Sequence, residues 1–351
     1  MASPRNRIRP AAVAGHFYPA DPAELRATVE ALLAPWRRPA SGGPGAPAAG
    51  APATEQQAPW GMPVMEQQAA RDMPATEQHA PRGVPPTEQQ SARGMAATEP
   101  RAPRETNAPQ APKAPKALKA PKAIIAPHAG YAYSGPIAGS AFAALEAGTA
   151  AGAAPARRVV LLGPSHRVAL RGLGLPGAER FATPLGEVEL DLAGMAAVAL
   201  LPQVAVRPDA HEAEHSLEVE LPFLQVVLGR FALLPLVVGE ATGDEVAEVM
   251  EAVWGGEETV FVISSDLSHY LSAEAAERAD RDTAARVLAL AGPLASRQAC
   301  GAVPINGLLS AARRRGMAAR LLDLRHSGDT SGDRSRVVGY GAWAFDERRG
   351  R

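Results

Sequence analysis

The run RVVLLGPSH, residues 158–166, sets the architecture. Four consecutive aliphatics, Val159 to Leu162, leave no polar face, so the run reads as a strand covered on both sides. The strand, RVVLLGP, runs from Arg158 to Pro164, and His166 follows it. The same order recurs on either side. Upstream, AIIAP (Ala123–Pro127) is a short buried strand and His128 follows it. Downstream, FALLPLVVG (Phe231–Gly239) is a third strand, and TVFVISSD (Thr259–Asp266) is a fourth that leads to His269. Helical patterns fill Asp244–Trp254, Ala273–Leu290 and Ala302–Arg315, with another near Ile137–Leu145 behind a Gly/Tyr/Ser-rich loop. ARLLDL (Ala319–Leu324) and VVGYGAWAF (Val337–Phe345) close the chain as strands. Near its start, Asp21-Pro22-Ala23-Glu24 opens a helix with an Asp N-cap, Pro at the first position and Glu at the third. That helix runs to Leu32 or Leu33 and stops by Pro35. Alternating strands and helices predict an α/β sandwich, with a mostly parallel or mixed sheet between helical layers.

Between Pro39 and Lys122 this pattern stops. The segment holds 16 of the 33 prolines but only Val64, Val84 and Leu118 among Leu, Ile, Val and Phe. It cannot bury enough apolar surface to offset its ordering entropy, and is expected to be disordered. Five 11-residue units run without a gap from Gly50 to Trp60, Gly61 to Arg71, Asp72 to Arg82, Gly83 to Arg93 and Gly94 to Arg104. An 11-residue period can mark a right-handed coiled coil, but each unit has a Pro or Gly and none has an apolar seam. Ala111–Lys122 repeats every three residues as a basic, polyproline-like spacer. The segment reads as an expansion in a surface loop, with a partner-docking tether as the alternative. The expected organisation is one domain, residues 1–38 and 123–351, interrupted by a low-complexity insert at 39–122.

Net charge of −1 and pI near 6.7 exclude a nucleic-acid binder that relies on bulk basicity. One cysteine excludes a disulfide framework or a multi-cysteine zinc module. The uncharged apolar stretch Leu192–Val206 has 15 residues and is too short to span a bilayer. The N-terminal arginines precede only Ala11–Gly15, without the apolar core of a secretory signal. A cytoplasmic protein with no membrane partner is the expectation.

The chemistry follows from where the histidines fall. His128, His166 and the pair Asp266/His269 each follow a different strand. Open α/β sheets bind ligands outside the carboxyl ends of their strands, so these residues converge on one edge. A single histidine after a strand is usually an ordinary loop residue; three in matching positions mark a metal or acid–base site. Two imidazoles point to a transition metal without choosing which. Cys300, Asp266 and Glu218 compete for a third ligand position. Cys300 lies before a predicted helix, where a thiolate is favoured, while the bland alternative is an inert buried thiol. His211-Glu212-Ala213-Glu214-His215 matches the zinc-peptidase pattern H-E-x-x-H. Against it stand Pro222, where a zincin helix would continue, and the lack of a downstream third ligand. Leu217, Leu221, Leu224 and Leu228 place the helical core stripe after His215.

On these residues the chain resembles the Memo family, whose bacterial members are called AmmeMemoRadiSam system protein B. The similarity runs through AGHFYPADPAEL, APHAGYAYSGPIAGSAF, VVLLGPSH, FATPLGEVELD, EHSLEVELPFLQ, LPLVVG, VISSDLSHY, ACGAVPI and SRVVGYGAWAF, in the family's order. The resemblance implies a fold related to the class III extradiol dioxygenases. It implies an iron or copper ion held by His128, His166 and Cys300, with Asp266 and His269 as a polar, acid–base pair in the same pocket. His215, Glu218 and Tyr131 are expected to line that pocket. The family name implies a functional association with a radical SAM protein. Dioxygenases of that class use two His and a carboxylate, so a thiolate at the third position departs from their pattern and suits copper(I) as well as iron. Three functions compete. The leading one is metal-dependent redox or oxygen handling on an unknown small-molecule or peptide substrate. A non-catalytic phosphopeptide adaptor, with Arg167 beside His166 as its cation, is the second. A zinc peptidase through the HEAEH run is the third.

Overall fold

Val159 and Leu161 side chains enter one core while Val160 and Leu162 enter another, and all four are fully buried. That is the period-2 alternation of a strand with no solvent face. The computed structural model describes residues 7–37, 120–150 and 157–347. The 11-residue repeats and nearly all of the 39–122 segment lie outside these residues.

In chain order the principal elements are β1 (Ile8–Arg9), α1 (Pro22–Leu33), β2 (Ala123–Ala126), α2 (Tyr131–Ala150), β3 (Arg158–Pro164), β4 (Leu173–Leu175), β5 (Arg180–Thr183), β6 (Gly186–Glu189), α3 (Leu192–Val198), β7 (Val204–Val206), α4 (Pro208–Glu212), α5 (Leu221–Leu228), β8 (Ala232–Val238), α6 (Gly243–Ala252), β9 (Thr259–Ser264), β10 (His269–Leu271), α7 (Ala273–Leu288), α8 (Ala302–Arg314), β11 (Ala318–His326) and β12 (Val337–Asp346). The large sheet runs β10–β12–β2–β9–β3–β8–β4–β7, with β11 on β12. Its centre, β2–β9–β3–β8, is parallel, so four carboxyl ends reach one edge. β12 is antiparallel to β2, and β4 to β8, which makes the sheet mixed. β1, β5 and β6 form a separate small sheet.

One core joins Leu25 and Val29 of α1, Phe142 of α2 and Leu224 of α5 to Ile124, Val159 and Leu161. The other joins Val246 and Met250 of α6 and Leu308 of α8 to Ile125, Val160 and Phe261. Each large side chain so buried contributes roughly 1.5–3 kcal/mol before entropy is subtracted. The expected α/β sandwich is therefore the observed one. α1 starts as its sequence predicts, with Asp21 Oδ1 accepting from the Ala23 and Glu24 N–H groups, each at 2.9 Å.

Two expectations shift. The loop expected after β2 is already helix: α2 opens at Tyr131, with the Gly130 carbonyl accepting from the Tyr133 and Ser134 N–H groups. Pro136 lies inside it and removes one donor from an early turn. The domain also resumes before residue 123. Lys122 is buried, and its Nζ donates to the carbonyls of Trp254, Gly256 and Thr259 at 2.7, 2.7 and 2.9 Å. Three carbonyl dipoles satisfy all three ammonium hydrogens. Among the described residues no helix is long and apolar enough to cross a membrane.

Candidate metal centre

β2, β9 and β3 are neighbours in the sheet, so the residues just past their ends are neighbours too. His128 follows β2 by two residues, His166 follows β3 by two, and Asp266 follows β9 by two. Rigid strands thus deliver the groups that the sequence placed at one edge. Two segments without regular structure complete the cluster. His215 arrives from the stretch between α4 and α5, which packs on β3 at Gly163. A Cβ at that glycine would lie 2.7 Å from Ser216 Oγ and 2.9 Å from Leu217 Cδ2, so only glycine lets the stretch approach. Cys300 arrives from the loop before α8. There, a Cβ on Gly301 would lie 2.6 Å from Ser265 Cβ, and Gly301 N–H donates to Ser265 Oγ at 2.9 Å.

The three imidazoles surround a common point. Nitrogens of His128, His166 and His215 all lie within 4.8 Å of one another. The ring of His128 stands edge-on to those of His166 and His215, which stack at 4.7 Å. Cys300 Sγ is 3.3 Å from His128 Nε2 and accepts from Asp266 N–H at 3.2 Å. Metal–nitrogen bonds of about 2.0–2.1 Å place three donors around one ion about 3.4–3.6 Å apart. The rings would have to close by up to about 1 Å around an ion. His215 Nδ1 is buried and makes no hydrogen bond, although Glu214 Oε1 lies 3.4 Å away. Three imidazoles and a nearby thiol are a donor set for a borderline or soft transition metal, so the residues fit such an ion.

Fixed hydrogen bonds orient the rings. His166 Nδ1 is 2.9 Å from Glu214 Oε1, and His166 N–H donates to Glu214 Oε2 at 2.6 Å. Glu214 also accepts from Ser216 N–H at 2.9 Å and lies 3.4 Å from His215 Nδ1. Burial works to raise the Glu214 carboxyl, but the hydrogen bond and charge of His166, with His215, hold it well below the carboxylate range. Burial likewise opposes charge on His166, yet its bonds to Cys300 and Glu214 hold its proton affinity well above the imidazole range. His128 and His215 are pushed the other way, by burial and then by His166; His215 falls to about 3. Glu214 thus favours a proton on His166, while burial disfavours one on His128 and His215.

Other predicted residues divide. Asp266 Oδ1 accepts from His128 N–H at 2.9 Å, so it braces the strand end. His269 is half-buried at the start of β10, and burial, opposed by the Leu267 carbonyl and aided by His166, lowers its proton affinity. Arg167 is exposed, and its charge adds to the lowering at His215. Glu218 and Tyr131 are placed elsewhere. Glu218 is buried in an ion pair with Arg9 and accepts from Ala12 and Val13 N–H and Tyr18 O–H, tying the N-terminal segment down. Tyr131 is a core residue whose hydroxyl donates to the Val219 carbonyl at 2.8 Å. The peptidase pattern is not formed: α4 ends at Glu212, so His211 and His215 do not share a helix. His211 is buried against Phe181, with Nε2 2.8 Å from the Gly174 carbonyl. Glu214, missed from the sequence, was detectable only as the carboxylate beside His215.

Comparison with known proteins follows the same residues. A family model described as Memo-like protein matches residues 105–344. A MEMO1 family protein of Methanosarcina acetivorans is 40% identical over 178 residues, covering 47% of this chain and 66% of the relative. One from Archaeoglobus fulgidus is 35% identical over 191 residues, covering 50% and 72%. One from Methanococcoides burtonii is 40% identical over 176 residues, covering 46% and 65%. The matched segments thus span about two thirds of these relatives' own length.

Proposed function

Since this chain belongs to the Memo family, we propose that His128, His166, His215 and Cys300 hold a redox-active iron or copper ion at the sheet edge, where a small-molecule or peptide substrate is oxidised or oxygen is handled. The observation that carries this reading is the group of three imidazole nitrogens within 4.8 Å of one another, with Cys300 Sγ 3.3 Å from His128 Nε2. Kinship with the class III extradiol dioxygenases is part of the proposal; the histidine-rich, thiol-bearing donor set differs from their two His and one carboxylate. When bound, the ion would supply Lewis acidity and one-electron chemistry. The protein's own groups do the rest. Glu214 fixes the His166 ring and balances its charge. Asp266 holds the His128 backbone and, through its own N–H, the Cys300 sulfur. His269, kept neutral by burial, is the base that takes or returns a proton. A ligating imidazole must be free of a proton on its binding nitrogen, so metal uptake at His166 competes with the proton that Glu214 favours there.

Metal analysis of the full chain purified without a histidine tag tests this. About one iron or copper per chain is expected. His128→Ala, His166→Ala and His215→Ala should each abolish stoichiometric binding. Cys300→Ser should weaken binding and shift preference away from copper(I), because a hydroxyl is a harder ligand than a thiolate. A parent protein without metal overturns the reading in favour of the adaptor, and unchanged metal in all four variants puts the site elsewhere.

A further inference from the structure

Ser264, the last residue of β9, meets three groups through one hydroxyl. His128 Nδ1 lies at 2.6 Å, the Ser216 carbonyl oxygen at 2.6 Å and Glu220 Oε1 at 2.8 Å. At these distances each contact is a hydrogen bond, and each requires one hydrogen. The Ser216 carbonyl has none to give, so the single Ser264 hydrogen goes there. The other two contacts must take their hydrogens from the partners. His128 therefore carries a proton on Nδ1, and Glu220 carries one on Oε1. If Glu220 were ionised, it would need the Ser264 hydrogen for itself. Two lone-pair oxygens, of Ser264 and Ser216, would then face each other at 2.6 Å with nothing between them.

The surroundings agree with the proton count. Glu220 is 0% exposed, and no cation pairs with it among the described residues. Its Oε2 has no hydrogen-bond partner, tolerable for the carbonyl oxygen of a neutral acid and costly for a carboxylate. Burial pushes the carboxyl well above its usual range, and Asp266 adds to this against the Ser264 bond.

We infer that Glu220 is a protonated carboxylic acid that, through Ser264, holds His128 as the Nδ1–H tautomer, leaving proton-free Nε2 to face Cys300. Glu220 is thus a positioning residue that touches neither metal nor substrate. Its purpose, presenting a ready lone pair to an ion, rests on the metal reading above; the proton arrangement does not. Metal-ligating histidines owe their orientation to such partners, and here the partner is a protonated acid.

The full-length, metal-free protein gives the first readout. The infrared difference between wild type and Glu220→Gln should contain the carbonyl stretch of a protonated carboxylic acid. A difference holding only carboxylate bands overturns the assignment. Nitrogen NMR of the His128 ring should show Nδ1–H alone in wild type and in Glu220→Gln, whose amide can donate to Ser264. Ser264→Ala should mix the tautomers, and an unchanged single tautomer there overturns the relay. Titration with Cu(I) or Fe(II) is the second readout. Glu220→Gln should bind within about twofold of wild type, while Ser264→Ala and Glu220→Leu lose about 10–100-fold. A loss in Glu220→Gln as large as in Glu220→Leu overturns the proposal. If wild type takes up neither metal, the reading of the centre falls, while the infrared and NMR results still decide the protonation of Glu220.

Discussion

Glu214 carries more of the candidate centre than its place between two histidines advertises. One carboxylate accepts from the backbone and ring of His166 and from Ser216 N–H, and it borders His215. Glu214→Gln keeps the shape but removes the charge opposite His166 and one of the two acceptor oxygens, so metal affinity should fall about 10–100-fold and melting temperature should fall as well; equilibrium titration and thermal unfolding check both. His211 gives a pH prediction independent of any metal. Burial, with the Arg9 charge and against the Gly174 carbonyl, pulls it down to about 4. The unfolded chain takes up that proton near 6.5, so between about pH 6.5 and pH 4 the unfolded state binds more protons. Stability must then fall as the solution is acidified through this window, by up to about 3 kcal/mol from this group. Denaturant unfolding at several pH values should show that slope, and His211→Gln should reduce it, leaving the part that His128 and His215 contribute. At this scale His128 and His166 were legible because each follows a strand whose apolar run is unmistakable. His215 and Glu214 sit in a stretch with no period to read, and only the fold brings them to the edge. Glu218, by contrast, had a carboxylate's credentials as a ligand, yet Arg9, 209 residues away, claims it.

Among the elements, legibility followed apolar content. β3, with both faces buried, is bounded as its sequence predicts, and β8, β9, α6 and α8 agree to within a residue or two. The three-residue strands β4, β7 and β10 have too few positions for alternation to show, and they depend on neighbours for their pairing. α2 was hidden by Pro136 and its glycines, residues that punctuate loops more often than they open helices. One contact between elements is decisive for the centre. Gly163 of β3 admits Ser216 and Leu217, whose position sets that of His215. Gly163→Ala would force its Cβ to within 2.7 Å of Ser216 Oγ. Overpacking of this kind costs about 1–3 kcal/mol. Denaturant unfolding should show that loss, and metal content should fall with it because one imidazole is displaced. Full metal occupancy in a destabilised variant would detach His215 from the centre.

For the whole molecule, the low-complexity segment offers the coarsest test. Its sequence brings only three Leu, Ile, Val or Phe side chains, and the cost of closing a loop grows only slowly with length. Removing Ala40–Lys119 and joining the flanks should therefore leave unfolding free energy within about 1 kcal/mol of the parent, measured by denaturant titration. A large loss would assign the repeats a packing role. The sandwich was legible from the alternation of runs and helices, whereas the mixed order of strands was not, because pairing partners are chosen in three dimensions. That order has a further consequence. His128 and Cys300 meet across 172 residues of chain, with His166 and His215 in between. A ribosome releases the first imidazole long before the sulfur, and the strands that set their spacing are not all available until β9 has emerged. A nascent chain thus presents scattered single donors that bind an ion weakly, and the centre comes into being late in synthesis, all at once, when there is a finished edge to hold it.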